Sequence, residues 1–315
     1  MRRVILHRLM RLLATLFAVT FLTFSMVSLL PGDPVDVILG QVERTPELED
    51  RVRSDLGLDR PFLERYGSWL GDSFQGDLGQ SYITGQEVSQ LIKDRVPVTA
   101  QLAFMAIVMA VIAAVPIGVL GAYKQGKWQD TLSSAAVQVA LSIPNFITAI
   151  FFVWIFSVKL KWLPNSNWVR VEDGLIDNLK RAIMPATALA LTQMAIFSRL
   201  VRADMIATLQ ENYVLAARAK GLSDRYILMR HALRPSSLSL MTIIGINFGA
   251  LLGGTVIIET LFAIPGLGFG LINAIFRRDI LVIQGITVFV ATVYVVINTI
   301  VDLLYTVIDP RIRRS

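Results

Sequence analysis

The chain has 315 residues, of which 54% are hydrophobic and only 17% charged, with mean hydropathy +0.58 and a formal net charge of +6. A soluble domain carries about 25% charge, so a water-soluble enzyme and a nucleic-acid-binding module are both excluded as the overall class. No cysteine is present, which removes disulfides, thiolate metal sites and cysteine nucleophiles. Six stretches contain no Asp, Glu, Lys or Arg: Leu12–Leu30, Val98–Ala122, Thr131–Val158, Ala182–Ser198, Pro235–Ile258 and Ile280–Val301. They run from 17 to 28 residues, and a helix crosses a bilayer core with roughly 17–25. The pattern predicts an all-α integral membrane protein with six transmembrane helices in contact with the lipid bilayer.

Residues 1–30 read as a short N-terminal segment followed by the first span. Arg2, Arg3, Arg8 and Arg11 precede its apolar run, as in a secretory leader, but the run is too long for an ordinary leader core. PGDP (Pro31–Pro34) follows instead of a small-residue cleavage site. Residues 31–95 form the long outward segment, with an amphipathic helix near Pro46–Leu56, the break GLDRP (Gly57–Pro61) and a helix over Phe62–Leu70. The Gly-rich GDSFQGDLGQS (Gly71–Ser81) follows. Phe62, Tyr66, Trp69 and Leu70 share one helical face, which predicts an ordered cap.

Residues 96–305 hold the other five spans. Pro116, Pro144 and Pro185 each lie inside one, and the fifth carries Gly245, Gly249, Gly253 and Gly254; such small residues let membrane helices approach closely. GAYKQGKW (Gly121–Trp128) resembles a phosphate loop, but Trp128 stands where the metal-binding hydroxyl belongs and no strand precedes it. A broken outer segment, residues 260–279, contains TLFAIPGLGFGLINAIF (Thr260–Phe276). Pro265, Gly266 and Gly268 interrupt it, so it reads as a re-entrant or interfacial half-helix, because irregular apolar backbone survives at membrane depth only against protein or a water-filled cavity. With Glu259, which sits at the outer end of the fifth span within reach of water, these three residues are candidates for an outer gate.

Charge sets the orientation. An even number of spans puts both termini on one side. That side also carries Lys124, Lys127, Arg199, Arg202 and the basic run Arg218, Lys220, Arg225, Arg230 and Arg234, whereas acids outnumber bases on the other. The N and C termini, including the tail 306–315, are expected in the cytoplasm.

Chemistry within the chain finds no support. His7 and His231 are far apart, and neither HExxH nor G-x-S-x-G occurs. No catalytic residue, metal site or cofactor is expected. Ion-coupled carriers place ionisable groups near the midplane, whereas the spans offer only neutral polar groups such as Gln138, Asn145, Gln193 and Asn247, the candidates for a substrate pathway. Energy for active transport would therefore enter from outside this chain. An ion-gradient carrier and a lipid-binding membrane scaffold are the alternatives from other classes.

The loop at residues 204–235 is the candidate entry point. Helix formers run through Lys220, Gly221 can end a helix in the left-handed region, and Ser223 can cap a second helix. Leu222, Tyr226, Met229 and Leu233 then fall on one stripe. A helix, a glycine and a helix make a rigid device, and Ala216-Ala217 with Gly221 would offer a surface without bulk to another protein.

AARAKG (Ala216–Gly221) in this position resembles the EAA loop of ABC importer permeases, and ARAKGLSDRYILMRHALR is similar to its version in the dipeptide/oligopeptide branch. LLPGDP (Leu29–Pro34), GDLGQS (Gly76–Ser81), RVPVTAQL (Arg95–Leu102), SIPNF (Ser142–Phe146), SRLVRADM (Ser198–Met205), ETLFAIPGLG (Glu259–Gly268) and DPRIR (Asp309–Arg313) extend the resemblance over essentially the whole chain. Leu215 stands where the loop's name-giving Glu belongs, and the proline after Leu233 comes one place late, at Pro235. The resemblance implies a type I ABC importer permease fold in the bacterial cytoplasmic (inner) membrane. It also implies a homologous second permease subunit, two ABC ATPase subunits and an extracytoplasmic solute-binding protein as partners. Peptides are the implied substrate, with nickel, glutathione or oligosaccharides as alternatives within the family. Tyr213, Ala216, Ala217, Arg218, Lys220, Gly221 and Leu222 would meet an ATPase groove.

Overall fold

The computed structural model describes residues 2–28, 35, 39, 45–55 and 59–308. LLPGDP, the start of GLDRP and the DPRIR tail lie outside them. The described residues form helices α1 (Arg2–Ser28), α2 (Pro46–Asp55), α3 (Phe62–Phe74), α4 (Val88–Tyr123), α5 (Trp128–Ser142), α6 (Asn145–Lys159), α7 (Leu175–Leu209), α8 (Asn212–Ala219), α9 (Asp224–Gly254), α10 (Val256–Leu261), α11 (Leu267–Arg277) and α12 (Ile280–Ile308). Contacts divide the chain into two compact units, Met1–Val98 with Pro265–Thr299, and Thr99–Ile264 with Ile300–Ser315.

Four of these helices are long and apolar enough to cross a membrane: α4, α7, α9 and, over Ile280–Val301, α12. The expected third span, interrupted by Pro144, is two helices, α5 and α6, bent by 95°. Pro144 is the cause. It has no N–H for the helix ladder and pushes the preceding residue out of the helical region, and Ile143 is accordingly extended at φ −93, ψ 118. Counting this pair as one span makes five. Pro185, by contrast, sits inside an unbroken 35-residue helix.

In the first unit the predicted aromatic face forms. Phe62, Tyr66 and Trp69 of α3 pack on Phe21 and Phe24 of α1, with the Phe21 and Tyr66 rings 5.3 Å apart and edge-on. The Tyr66 and Thr20 hydroxyls lie 2.9 Å apart in the buried contact. A second core gathers Val88, Ile92, Leu267, Val282 and Ile286. Ser81 donates to the buried Asp279 carboxylate and receives the backbone N–H of Thr84 at 3.0 Å, which fixes the Gly-rich turn.

In the second unit close approach depends on two glycines. A side chain on Gly118 would come within 2.8 Å of the Ser198 carbonyl, where α4 crosses α7, and one on Gly245 would collide with Val301 of α12. The expected small-residue packing of the fifth span is realised at Gly245 and at the buried Gly249, while Gly254 faces open space.

Candidate functional site

The loop predicted to couple is two rigid pieces joined at a glycine. α8 ends on a left-handed turn: Gly221 has φ +78, its N–H bonds the Arg218 carbonyl at 2.9 Å, and the Leu222 N–H bonds the Ala217 carbonyl at 3.3 Å. This pair of reverse bonds satisfies carbonyls that the helix end would leave unpaired. A Cβ on Gly221 would meet nothing within 4 Å, so the space beside it is open.

Ala216 and Ala217 do not form one docking surface, contrary to the sequence reading. Their positions are adjacent, which on a helix turns them about 100° apart. Ala217 is buried with Val214 against Ile227 and Leu209, and Ala216 is exposed. The outward face comprises Tyr213, Leu215, Ala216, Arg218, Lys220 and Gly221. Leu222, Tyr226 and Met229, expected to form an apolar stripe, are exposed as well.

The second helix does not stop near Pro235. Ser223 occupies the cap position without a side-chain hydrogen bond, and the helix continues from Asp224 through a wide π-type turn at Ile227–Ala232 into the span that ends at Gly254. Pro235 cannot donate to the carbonyl four residues earlier, that of His231. The Tyr213 hydroxyl donates to that carbonyl instead, at 3.2 Å. Partial burial, and then the Glu211 carboxylate, hold the Tyr213 phenol above its ordinary value, so it keeps its proton as a donor. A side chain on α8 is thereby tied to the backbone at the start of the α9 span. At the far side of the loop Tyr123, the last residue of α4, donates to the Asp224 carboxylate at 2.8 Å.

A cavity of about 600 Å³ opens among α4, α5, α7 and α9. Gln138 lines it, together with Ser134, Arg199 and Arg202. Arg202 is held by Asp130 in a bidentate ion pair, at 2.6 and 2.8 Å, and the Gly126 N–H adds a 3.0 Å bond to the same carboxylate. Of the other candidate pathway residues, Asn145 is half-buried in the first turn of α6, Gln193 is buried in α7, and the Asn247 amide donates to its own helix at Ile243.

Glu259 is not within reach of water, as its position at the end of an apolar run suggested. It is fully buried, and its Oε1 accepts hydrogen bonds from Thr99 Oγ at 2.7 Å and Thr255 Oγ at 2.8 Å. The break between α9 and α10 folds it inward. In the first unit the Gly266 carbonyl accepts a 3.2 Å bond from Arg95, whose side chain runs against Gly270, and Gly268 is buried while Pro265 is half-buried. Thr99 and Thr255, like the Asp130–Arg202 pair, were missed as site residues. A lone threonine in an apolar run carries no signal, and partners 72 positions apart leave none in local spacing.

Long apolar helices, a rigid loop helix and a cavity lined by Gln138 and two arginines together describe a membrane permease. The chain belongs to the family of binding-protein-dependent transport system inner membrane components, whose description matches residues 114–314, with that of the N-terminal part of these proteins matching residues 1–103. A protein of Brucella abortus (strain 2308), provisionally named a peptide transport system permease protein, is 40% identical over 313 residues, 99% of each chain. The dipeptide transport system permease protein DppB of Alkalihalophilus pseudofirmus is 35% identical over 98% of each chain. Among solved structures, the inward-facing methionine ABC transporter MetNI has a chain similar in fold, with TM-score 0.56 at 16% identity, over 70% of this chain and 97% of that one. The protein is therefore a multi-pass membrane transport permease, and its family is not one of enzymes.

Proposed function

We propose that this chain is one permease half of an ATP-driven peptide importer in the bacterial cytoplasmic membrane. It pairs with a homologous second permease, two ATPase subunits bind on the loop side, and a solute-binding protein delivers peptide on the other. Six spans with cytoplasmic termini result if α1 and the bent α5–α6 pair each cross once. Residues 31–95 then lie on the extracytoplasmic side, and the loop 204–235 faces the ATPases.

The observation that supports this reading most is the exposed face of α8, linked to the α9 span through Tyr213. Tyr213, Ala216, Arg218, Lys220, Gly221 and Leu222 enter the ATPase groove, and Ala217 acts from behind by holding α8 on Ile227. Closure of the ATPases moves α8, and the tie to the His231 carbonyl carries the displacement into the span. Gln138 belongs to the inner pathway, whereas Glu259 and the Pro265–Gly268 break belong to the outer end.

Purification of the tagged chain from its native membrane tests the assembly. Two ATPases and a second permease should co-elute, and ATP hydrolysis should disappear when they are removed. Hydrolysis by this chain alone, or uptake that follows an ion gradient without an ATPase, would contradict the proposal. Competition of labelled dipeptide uptake by peptides, but not by nickel, glutathione or oligosaccharide, fixes the substrate class.

A further prediction concerns Tyr213→Phe. It removes one hydrogen bond, about 0.5–1.5 kcal/mol, and should leave the ATPases bound and hydrolysing. Uptake per ATP consumed should fall several-fold. An unchanged ratio would show that the hydroxyl carries no displacement.

A further inference from the structure

We propose that the cavity among α4, α5, α7 and α9 binds the free C-terminal carboxylate of a translocating peptide, with Arg199 as its anion anchor. The inference rests on the peptide-importer reading and assigns a recognition point within it.

Two guanidinium groups line this cavity, Arg199 and Arg202, one helical turn apart on α7. The Arg202 charge is already committed to Asp130, with both carboxylate oxygens taken in a bidentate contact. Asp130 receives the Gly126 N–H as well, so the pair is a fixed structural element. Arg199 is exposed into the cavity, and no carboxylate among the described residues pairs with it. An unpaired guanidinium recognises a carboxylate through two parallel charge-assisted hydrogen bonds.

The remaining lining fits the rest of a peptide. The Gln138 side chain is exposed on the same cavity, and an amide supplies both a donor and an acceptor for a peptide bond. Ile117, Val137, Leu200 and Ile243 form apolar walls, which reject neither small nor large side chains by charge. One unpaired cation, one amide and neutral walls suit a ligand class that shares a terminal carboxylate and a backbone and varies in everything else. The volume of about 600 Å³ lies within the roughly 300–1,000 Å³ of small-ligand clefts.

The test uses the full chain purified with the subunits that accompany it, in nanodiscs without the solute-binding protein. Trialanine and trialanine amide are the probes, and binding is read by saturation-transfer NMR titration. Wild-type complex should bind the acid about tenfold or more tightly than the amide. Arg199→Gln should reduce acid binding to the level of the amide and leave amide binding unchanged, and Arg199→Lys should restore part of the preference. Equal binding of acid and amide by wild type, no binding of either, or an unaltered preference in Arg199→Gln would each overturn the assignment. Uptake of trialanine by the same complex with its binding protein is the separate control. Uptake without an Arg199-dependent preference defeats only this site, and absence of any peptide uptake defeats the peptide-importer reading itself.

Discussion

Gly221→Trp should reduce uptake to background and release the ATPases from the purified complex, whereas Gly221→Ala should retain partial function. Both variants force a side chain into φ +78, at a local cost of about 1–2 kcal/mol. A Cβ there meets nothing within 4 Å, so the methyl of the alanine variant clashes with nothing in the chain. Helical content and yield, expected to match wild type in both variants, check that each still folds. What separates indole from methyl is bulk projected into the space where a partner docks. Co-purification of the ATPases and uptake of labelled dipeptide, compared across the two variants, isolate that effect. Equal uptake by the two variants would mean that only the turn matters and that nothing docks beside Gly221.

Glu259→Leu should cause the larger loss of stability. The side chain is fully buried and accepts from two hydroxyls, on Thr99 of α4 and Thr255 at the α9–α10 break. Removing the acceptor costs each hydroxyl a hydrogen bond, about 0.5–1.5 kcal/mol apiece. The detergent-solubilised variant should unfold at a markedly lower temperature. Glu259→Gln keeps an oxygen in the same place and should recover part of the loss. Thr99→Val should cost less when combined with Glu259→Leu than alone, since the interaction it removes is already gone. Strictly additive losses would show that the carboxylate and the hydroxyl act independently.

Much of this protein was legible in one dimension because lipid imposes a one-dimensional rule. A chain crossing hydrocarbon satisfies its backbone within each helix and excludes charge over a fixed length. Uncharged runs such as Val98–Ala122 and Ile280–Val301 therefore appear as helices α4 and α12. The aromatic face of Phe62, Tyr66 and Trp69 was legible for a similar reason, since helical periodicity is local. So was the end of α8, because a glycine followed by Leu222 supplies the turn and its closing bonds from neighbouring residues.

Other features depended on distance in space. Helical spacing assigns faces only relative to a partner, so Ala216 and Ala217 looked alike until Ile227 and Leu209 packed on one of them. Pro144 and Pro185 have the same side chain in the same kind of run, yet one bends a span by 95° and the other is absorbed. The class of protein, its apolar helices and the junction at Gly221 were readable from the residues alone, because solvent and short-range geometry set all three. Packing was needed to show that Glu259 is buried between two threonines, that Asp130 engages Arg202 and leaves Arg199 to the cavity, and that Tyr213 closes the backbone gap opened by Pro235. Glu259 with Thr99, Asp130 with Arg202 and Tyr213 with His231 pair residues 160, 72 and 18 positions apart, and hydrogen bonds at about 3 Å exist only once the helices have packed.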